Sequence, residues 1–158
     1  MIILPDAIWN RLLDEFRWPR KRMERVAYFD GVFTAADSVV TTLACPNARL
    51  EKTHFTVSSE AMSECGTHFR KFGLARIAQV HTHPGTWVGH SPYDDQMAYS
   101  QRTGAVSIVL PEHARKRPRL QNCGVHVRTE TGWVQIPTDE VDALIRQVPG
   151  FLDFRRKR

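Results

Sequence analysis

The chain has 158 residues, of which 42% are hydrophobic and 25% are charged. This composition is typical of a globular domain, and we expect a single domain over 1–158, with 151–158 as a basic tail that is a candidate for disorder. No apolar run reaches the length of a membrane span and the start lacks a signal peptide's basic residues, so we expect a cytoplasmic protein with no membrane partner. The three cysteines lie far apart, which argues against a disulfide framework or a cysteine-based zinc knuckle.

The formal net charge is +5, and much of it lies in three clusters at 17–25, 115–119 and 155–158. Such clusters can meet nucleic acid or an acidic protein surface, and they are also typical of an ordinary solvated surface. No interleaved aromatic residues of the kind that stack on bases accompany them, so nucleic acid is not the expected partner.

Periodicity and turn residues predict the elements of the first half of the chain. In order, they are a helix over Asp6–Phe16, a strand over Val26–Phe29, a turn at Asp30–Gly31, further strand over Val32–Leu43 with a kink near 35–37, a strand over Leu50–Val57, and a helix that begins after Ser58 and that Gly73 closes.

The second half has the same mixture of strands and helices. The predicted elements are a strand over Ala75–His83, a helix from Pro92 to about Arg102, a buried strand over Ala105–Leu110, a loop over Pro111–Asn122, a hairpin of Gly124–Arg128 and Gly132–Ile136, and a last helix from Thr138 to Val148. This order predicts an α+β fold, with helices packed against a curved, largely antiparallel sheet.

One stretch, from Gln79 to Asp95, carries metal-ligand chemistry. His81 and His83 are two apart at the end of a predicted strand, which sends both imidazoles to one face as half of a tetrahedral zinc site. Ser91 suits a helix N-cap, and this cap fixes Asp94 in the first turn. Each part alone is commoner as a polar strand end or a plain helix cap. Together, the three ligands leave one zinc position open, which is the arrangement of a catalytic site, and we predict one zinc ion per chain.

The combination of His-x-His-Pro and Ser-x-x-Asp, with ten residues between His83 and Asp94, resembles the JAMM metal motif of the JAB1/MPN domain, a family of zinc-dependent isopeptidases. The order of elements over Pro5–Ile136 resembles that family too. The resemblance implies a mixed, cytidine-deaminase-like sheet. The chain is similar in particular to the stand-alone bacterial JAB proteins that accompany ubiquitin-like, E1-like and E2-like proteins in conjugation operons, including antiphage ones.

The resemblance also implies two catalytic residues. Glu24, in Met23-Glu24-Arg25-Val26-Ala27, takes the place of the family's general acid/base, although nothing in the spacing alone singles it out. Ser91 is the implied hydrogen-bond donor to the oxygen that becomes negative during hydrolysis. We interpret His90 and Asp95 as supporting or solvent-facing residues. Trp87 is expected either near the entrance of the groove or folded onto the surface.

The implied function is cleavage after the C-terminal Gly of a ubiquitin-like modifier, which matures the modifier or removes it from its targets. The implied partners are that modifier, its conjugates, and E1-like and E2-like proteins. Three alternatives stay open: processing of a sulfur-carrier protein, a non-catalytic MPN scaffold, and a nucleic-acid protein akin to the DNA-repair-associated JAB branch. The last ranks lowest because the residues after His83 differ from that branch's signature.

Overall fold

The computed structural model, which describes residues 1–17, 22–150, 152 and 154, is built on one large mixed sheet. The strands are β1 (Ile2–Pro5), β2 (Val26–Phe33), β3 (Ser38–Ala44), β4 (Ala48–Leu50), β5 (Phe55–Val57), β6 (Ala75–Thr82), β7 (Val106–Leu110), β8 (Gly124–Arg128), β9 (Trp133–Gln135) and β10 (Ile145–Val148). The helices are α1 (Asp6–Arg17), α2 (Ser59–Phe72), α3 (Pro92–Met97) and α4 (Val141–Leu144), with short 3₁₀ turns at Glu112–Ala114, Leu120–Asn122 and Thr138–Glu140.

Eight strands form this sheet in the order β10-β1-β3-β2-β6-β7-β8-β9, while β4 and β5 form a separate hairpin. The pairs β1–β10, β1–β3 and β6–β7 are parallel, and the other four pairs of the large sheet are antiparallel. Trp9, Leu12, Leu13 and Phe16 of α1 are buried in the main hydrophobic core. All five residues of β7 are buried, as expected for a central strand. The predicted α+β fold is confirmed.

The turn predicted at Asp30–Gly31 is wrong, because β2 runs through both residues with a β-bulge between them. The Asp30 carboxylate is buried and accepts a hydrogen bond from Arg76 Nε at 3.0 Å. Gly31 lies so close to β3 that a Cβ there would stand 1.9 Å from the Val39 carbonyl oxygen. The chain turns instead at 34–37, where a kink was predicted. A buried ion pair and a close strand contact therefore override the local turn signal.

Three other predicted elements are shorter or of another type. The strand predicted over Leu50–Val57 is wrong, because a turn at 51–54 separates β4 from β5. The helix that begins at Pro92 ends at Met97 and not near Arg102. The last predicted helix is wrong over Ile145–Val148, which pairs as a parallel strand with β1, a strand that the sequence did not predict.

Residues 18–21 of the first predicted basic cluster, and 151, 153 and 155–158 of the predicted basic tail, lie outside the described residues. In the part of the chain that is described, no helix has the length and apolar character needed to cross a membrane.

Candidate metal centre

His81, His83 and Asp94, the three predicted ligands, come together in the fold. His81 lies in β6, His83 directly follows β6, and Asp94 lies in the first turn of α3. All three are buried, and one ligand atom from each lies within 4.8 Å of the other two. Asp94 Oδ1 is 3.4 Å from His81 Nε2, and Asp94 Oδ2 is 3.3 Å from His83 Nε2. Two imidazole nitrogens and a carboxylate are a donor set that divalent transition metals bind.

A capping box holds the Asp94 carboxylate. Oδ2 accepts hydrogen bonds from the Ser91 backbone N–H and from the Ser91 hydroxyl, both at 2.7 Å, and the Asp94 N–H donates back to Ser91 Oγ at 3.1 Å. Burial alone raises the pKa of Asp94, but the hydrogen bond from His83, the electrostatic interaction with His81 and the hydrogen bonds from Ser91 hold it well below its usual range. The carboxylate is therefore ionised and fixed in orientation.

The protonation state of His81 and the orientation of His83 both suit the binding of a cation. Neither ring nitrogen of His81 has a hydrogen-bond partner in the described part of the chain, and burial lowers the pKa of His81 to about 3, so its imidazole is neutral. His83 Nδ1 lies 3.1 Å from the Trp87 carbonyl oxygen, to which its N–H can donate, and this leaves Nε2 to face Asp94. Burial lowers the pKa of His83, but Asp94 and Glu24 more than offset it and raise the pKa above its ordinary value. The carboxylates therefore favour a positive charge at this place, and these residues fit a metal ion.

Glu24 lies beside the three ligands but outside their cluster. It precedes β2, and because Val26 pairs with His81 and the Thr82 N–H donates to the Arg25 carbonyl at 3.0 Å, the antiparallel register brings Glu24 opposite His83. Its side chain is buried, with 3% of the residue exposed. Burial raises the pKa of Glu24 to about 7; the charge of His83 opposes this rise and that of Asp94 adds to it. Its role as acid/base stays a prediction.

Ser91 makes use of its hydroxyl hydrogen within the cap. Because that hydrogen is donated to Asp94 Oδ2, the predicted donation to a substrate oxygen requires the O–H to rotate. A serine hydroxyl has one hydrogen, so it serves one acceptor at a time. The oxyanion role of Ser91 also stays a prediction.

His90 supports the site from the side of β7. Its Nδ1 lies 2.9 Å from Asp95 Oδ1 and its Nε2 lies 2.9 Å from Ser107 Oγ, so the ring links α3 to β7. It also stacks on His126, with ring centroids 4.1 Å apart. Sequence reasoning missed Ser107 and His126. The one available signal was that each is a polar residue within an apolar strand, Ser107 in β7 and His126 in β8. The two residues are directly paired in the β7–β8 register.

Trp87 stands over one ligand. Its ring stacks on His83, with centroids 5.1 Å apart and an angle of 14° between the planes, while 58% of the residue stays exposed. Gly89 leaves the space for the indole, since a Cβ on Gly89 would lie 2.7 Å from it. Of the two expectations for Trp87, the structure therefore favours a place at the mouth of the site.

Comparisons with known proteins also relate this chain to a metalloprotease. No family model matches the chain. A stretch of 90 residues, 56% of the chain, is 28% identical to the probable metalloprotease y4jG of Sinorhizobium fredii (strain NBRC 101917 / NGR234). The matched stretch spans 55% of that relative, or about half its length.

Two solved structures share the fold. The solution structure of protein DSY2949 from Desulfitobacterium hafniense superposes with a TM-score of 0.73 at 17% identity and covers 94% of both chains. The crystal structure of AF2198, a JAB1/MPN domain protein from Archaeoglobus fulgidus, superposes with a TM-score of 0.50 at 15% identity and covers 87% of this chain and 97% of the other.

The fold and the cluster of candidate ligands together are similar to those of a JAB1/MPN domain. The fold is similar to that of the JAB1/MPN structural neighbour, and His81, His83 and Asp94 fit the JAMM motif. The resemblance inferred from the sequence is thereby confirmed.

Proposed function

We propose that this protein is a zinc-dependent peptidase that cleaves after the C-terminal Gly of a ubiquitin-like modifier. The observation that carries the proposal is the convergence of three buried ligands with a buried fourth side chain, Glu24, opposite His83. The likeness to a probable metalloprotease supports the reaction class. The substrate and the choice of zinc rest on the JAMM resemblance and on the donor set.

His81, His83 and Asp94 would hold one zinc ion. Zinc in such a site supplies a water of lowered pKa as nucleophile and polarises the carbonyl that is attacked. The chain's own contribution is rigidity, because the Ser91 cap fixes Asp94 and the Trp87 carbonyl fixes the ring of His83. Preorganised ligands need no rearrangement when the metal and the substrate arrive.

Glu24 is the group that moves the proton. It is buried next to the ligands and belongs to none of the bonds that hold them, so it is free to take a proton from the attacking water and to pass it to the leaving amine. Ser91 turns its O–H from Asp94 toward the oxygen that becomes negative, a contact typically worth about 10²–10³ in rate.

The β4–β5 hairpin and Trp87 form the approach for an extended peptide. In the described ranges β5 pairs with β4 alone, and the ring of Phe55 in β5 lies 5.5 Å from that of His81. A peptide strand that adds to the other edge of β5 would lead toward the three ligands. Trp87 leaves little room beside His83, and Gly, which has no side chain, suits a backbone that has to pass there. A modifier that ends in Gly-Gly has that form.

Cleavage of a ubiquitin-like protein with a short C-terminal extension tests this function. The zinc-loaded protein is expected to release the extension after the last Gly, as seen by intact-protein mass spectrometry. Asp94→Ala is expected to lose both zinc and cleavage, and Glu24→Gln to lose cleavage alone. Equal cleavage of unrelated unstructured peptides would refute the proposed specificity, and no cleavage by the zinc-loaded protein would favour the scaffold.

The biological setting is part of the same proposal. We expect the substrate to be a bacterial modifier that acts in the cytoplasm in antiphage defence, with E1-like and E2-like proteins of the same operon as partners. A sulfur-carrier protein with a C-terminal extension, assayed beside the modifier, distinguishes the two substrate classes. Genes for an E1-like and a ubiquitin-like protein beside this one are the expected genomic context.

A further inference from the structure

The two peptide units that flank Glu24 are held by hydrogen bonds to different elements. The Glu24 N–H donates to the Glu51 carbonyl, in the turn between β4 and β5, at 2.7 Å. The Arg25 N–H donates to Thr82 Oγ1, in β6, at 3.0 Å. Each peptide unit is planar, so only the φ and ψ angles of Glu24 can turn between the two. Because both units are held, the direction in which the Glu24 side chain leaves the backbone is held as well.

The bond at Arg25 departs from a regular strand ladder. Val26 of β2 lies opposite His81 of β6, so Arg25 lies opposite Thr82. The Thr82 N–H donates to the Arg25 carbonyl at 3.0 Å, as in an ordinary antiparallel pair. The reciprocal bond of such a pair would run from the Arg25 N–H to the Thr82 carbonyl, whereas here it runs to the Thr82 hydroxyl. This contact therefore depends on the side chain at position 82.

The hydroxyl lies where water does not readily replace it. Thr82 is fully buried, with 0% of the residue exposed, and Glu24 is buried beside it. An N–H that loses its acceptor in such a place either stays unsatisfied, at a cost in free energy, or turns toward another acceptor. Loss of the hydroxyl is therefore expected to release the peptide unit between Glu24 and Arg25.

Thr82 also belongs to the strand that carries the histidines. It lies between His81 and His83 in sequence, and all three residues are buried. A turn of Glu24 about its ψ angle, away from its place opposite His83, would break the bond from Arg25 to Thr82. One hydroxyl thus connects the ligand-bearing strand with the peptide unit that follows Glu24.

We propose that Thr82 is a positioning residue whose hydroxyl sets the direction of the Glu24 side chain relative to His83. It acts through the backbone of Arg25. The catalytic consequence rests on the proposed peptidase function, whereas the structural consequence does not.

Amide hydrogen exchange tests the structural part without any need for activity. Thr82→Val replaces the hydroxyl by a methyl group of similar size, and exchange of the Arg25 amide is expected to rise at least tenfold. Thr82→Ser keeps a hydroxyl at the same place and is expected to restore the protection. Thr41→Val, at an exposed position of β3, is the matched control. Thr82→Ala, which adds no bulk, serves the same comparison if the Val variant does not fold. Wild-type exchange at Arg25 in a folded variant without the hydroxyl would overturn the proposal.

A double-mutant cycle tests the catalytic part. Thr82→Val is expected to lower kcat at least tenfold with KM and zinc content unchanged, Thr82→Ser to restore kcat, and Thr82→Val to have no further effect in a Glu24→Gln background. A loss of zinc in Thr82→Val, or losses that multiply in the double variant, would show that the hydroxyl acts independently of Glu24 and would overturn the proposal. If the wild type cleaves no substrate, the peptidase function fails, and the exchange experiment still decides whether the hydroxyl holds the peptide unit of Glu24.

Discussion

Replacement of Glu24 by glutamine is expected to stabilise the metal-free protein at alkaline pH while it abolishes cleavage. The Glu24 carboxyl is buried, and burial raises its pKa from 4.5 to about 7. Between these two values the folded protein binds a proton that the unfolded chain has released. The associated stability is therefore fully present below pH 4.5 and is lost as the pH rises through 7. Glutamine stays neutral and avoids this loss.

The size of the effect follows from the same pKa values. A rise from 4.5 to about 7 corresponds to about 3 kcal/mol, since each pKa unit is worth about 1.36 kcal/mol. Above pH 8 the Gln variant should gain about that much in the free energy of unfolding. For a chain of this size the gain is about 6–12 °C in Tm, at roughly 2–4 °C per kcal/mol. Near pH 4.5 the two proteins should differ little.

Urea unfolding in the presence of a chelator, at pH 5 and at pH 8.5, measures the difference. Glu130→Gln, at an exposed position in the β8–β9 turn, is the matched control and should change nothing at either pH. With zinc restored, Glu24→Gln should lose about 10²–10⁴ in kcat, the usual contribution of a proton-transfer group. A Gln variant that is no more stable at pH 8.5 would refute the burial argument, and one that is fully active would mean that another residue moves the proton.

Two further predictions concern the glycines and the mouth of the site. Gly31→Ala should destabilise the protein by at least about 3 kcal/mol or prevent folding, since its Cβ would lie 1.9 Å from a backbone oxygen of β3. Gly66→Ala, by contrast, should stabilise α2 by about 0.5–1 kcal/mol, because the added Cβ would have only a side-chain atom nearby, at 3.5 Å. Both are read from urea unfolding, and equal effects would contradict the bulge argument. Trp87→Ala should leave zinc affinity unchanged, because His83 uses the Trp87 backbone carbonyl, and should raise KM for the extended modifier; a loss of zinc by metal analysis would contradict this division of roles.

The convergence of the three candidate ligands was predictable because the signals that place them are local. A spacing of two along a strand sets His81 and His83 on one face, and the Ser91 cap fixes Asp94 within one helical turn. Both patterns act over a few residues, so no knowledge of long-range pairing was needed. The side chains do converge in the fold, as the spacing predicted.

Residues that depend on strand pairing were not visible in the sequence. The place of Glu24 opposite His83 follows from the β2–β6 register, so only the family resemblance indicated it. The left-handed turn at Glu112–Ala114 continues the β6–β7 ladder, because the His113 N–H donates to the His83 carbonyl. Nothing in the composition of the turn indicates that conformation. The apolar spacing of residues 145–148 is helical, yet these residues pair with β1 as a parallel strand. Tertiary pairing overrides the local preference there.

Zinc analysis of freshly purified protein tests the central claim most directly. The wild type is expected to contain close to one zinc ion per chain, and Asp94→Ala, which removes the capped carboxylate, is expected to contain close to none and to lose cleavage as well. Wild-type protein without zinc, or an Asp94→Ala variant that keeps its zinc, would contradict the assignment of His81, His83 and Asp94 as the metal site.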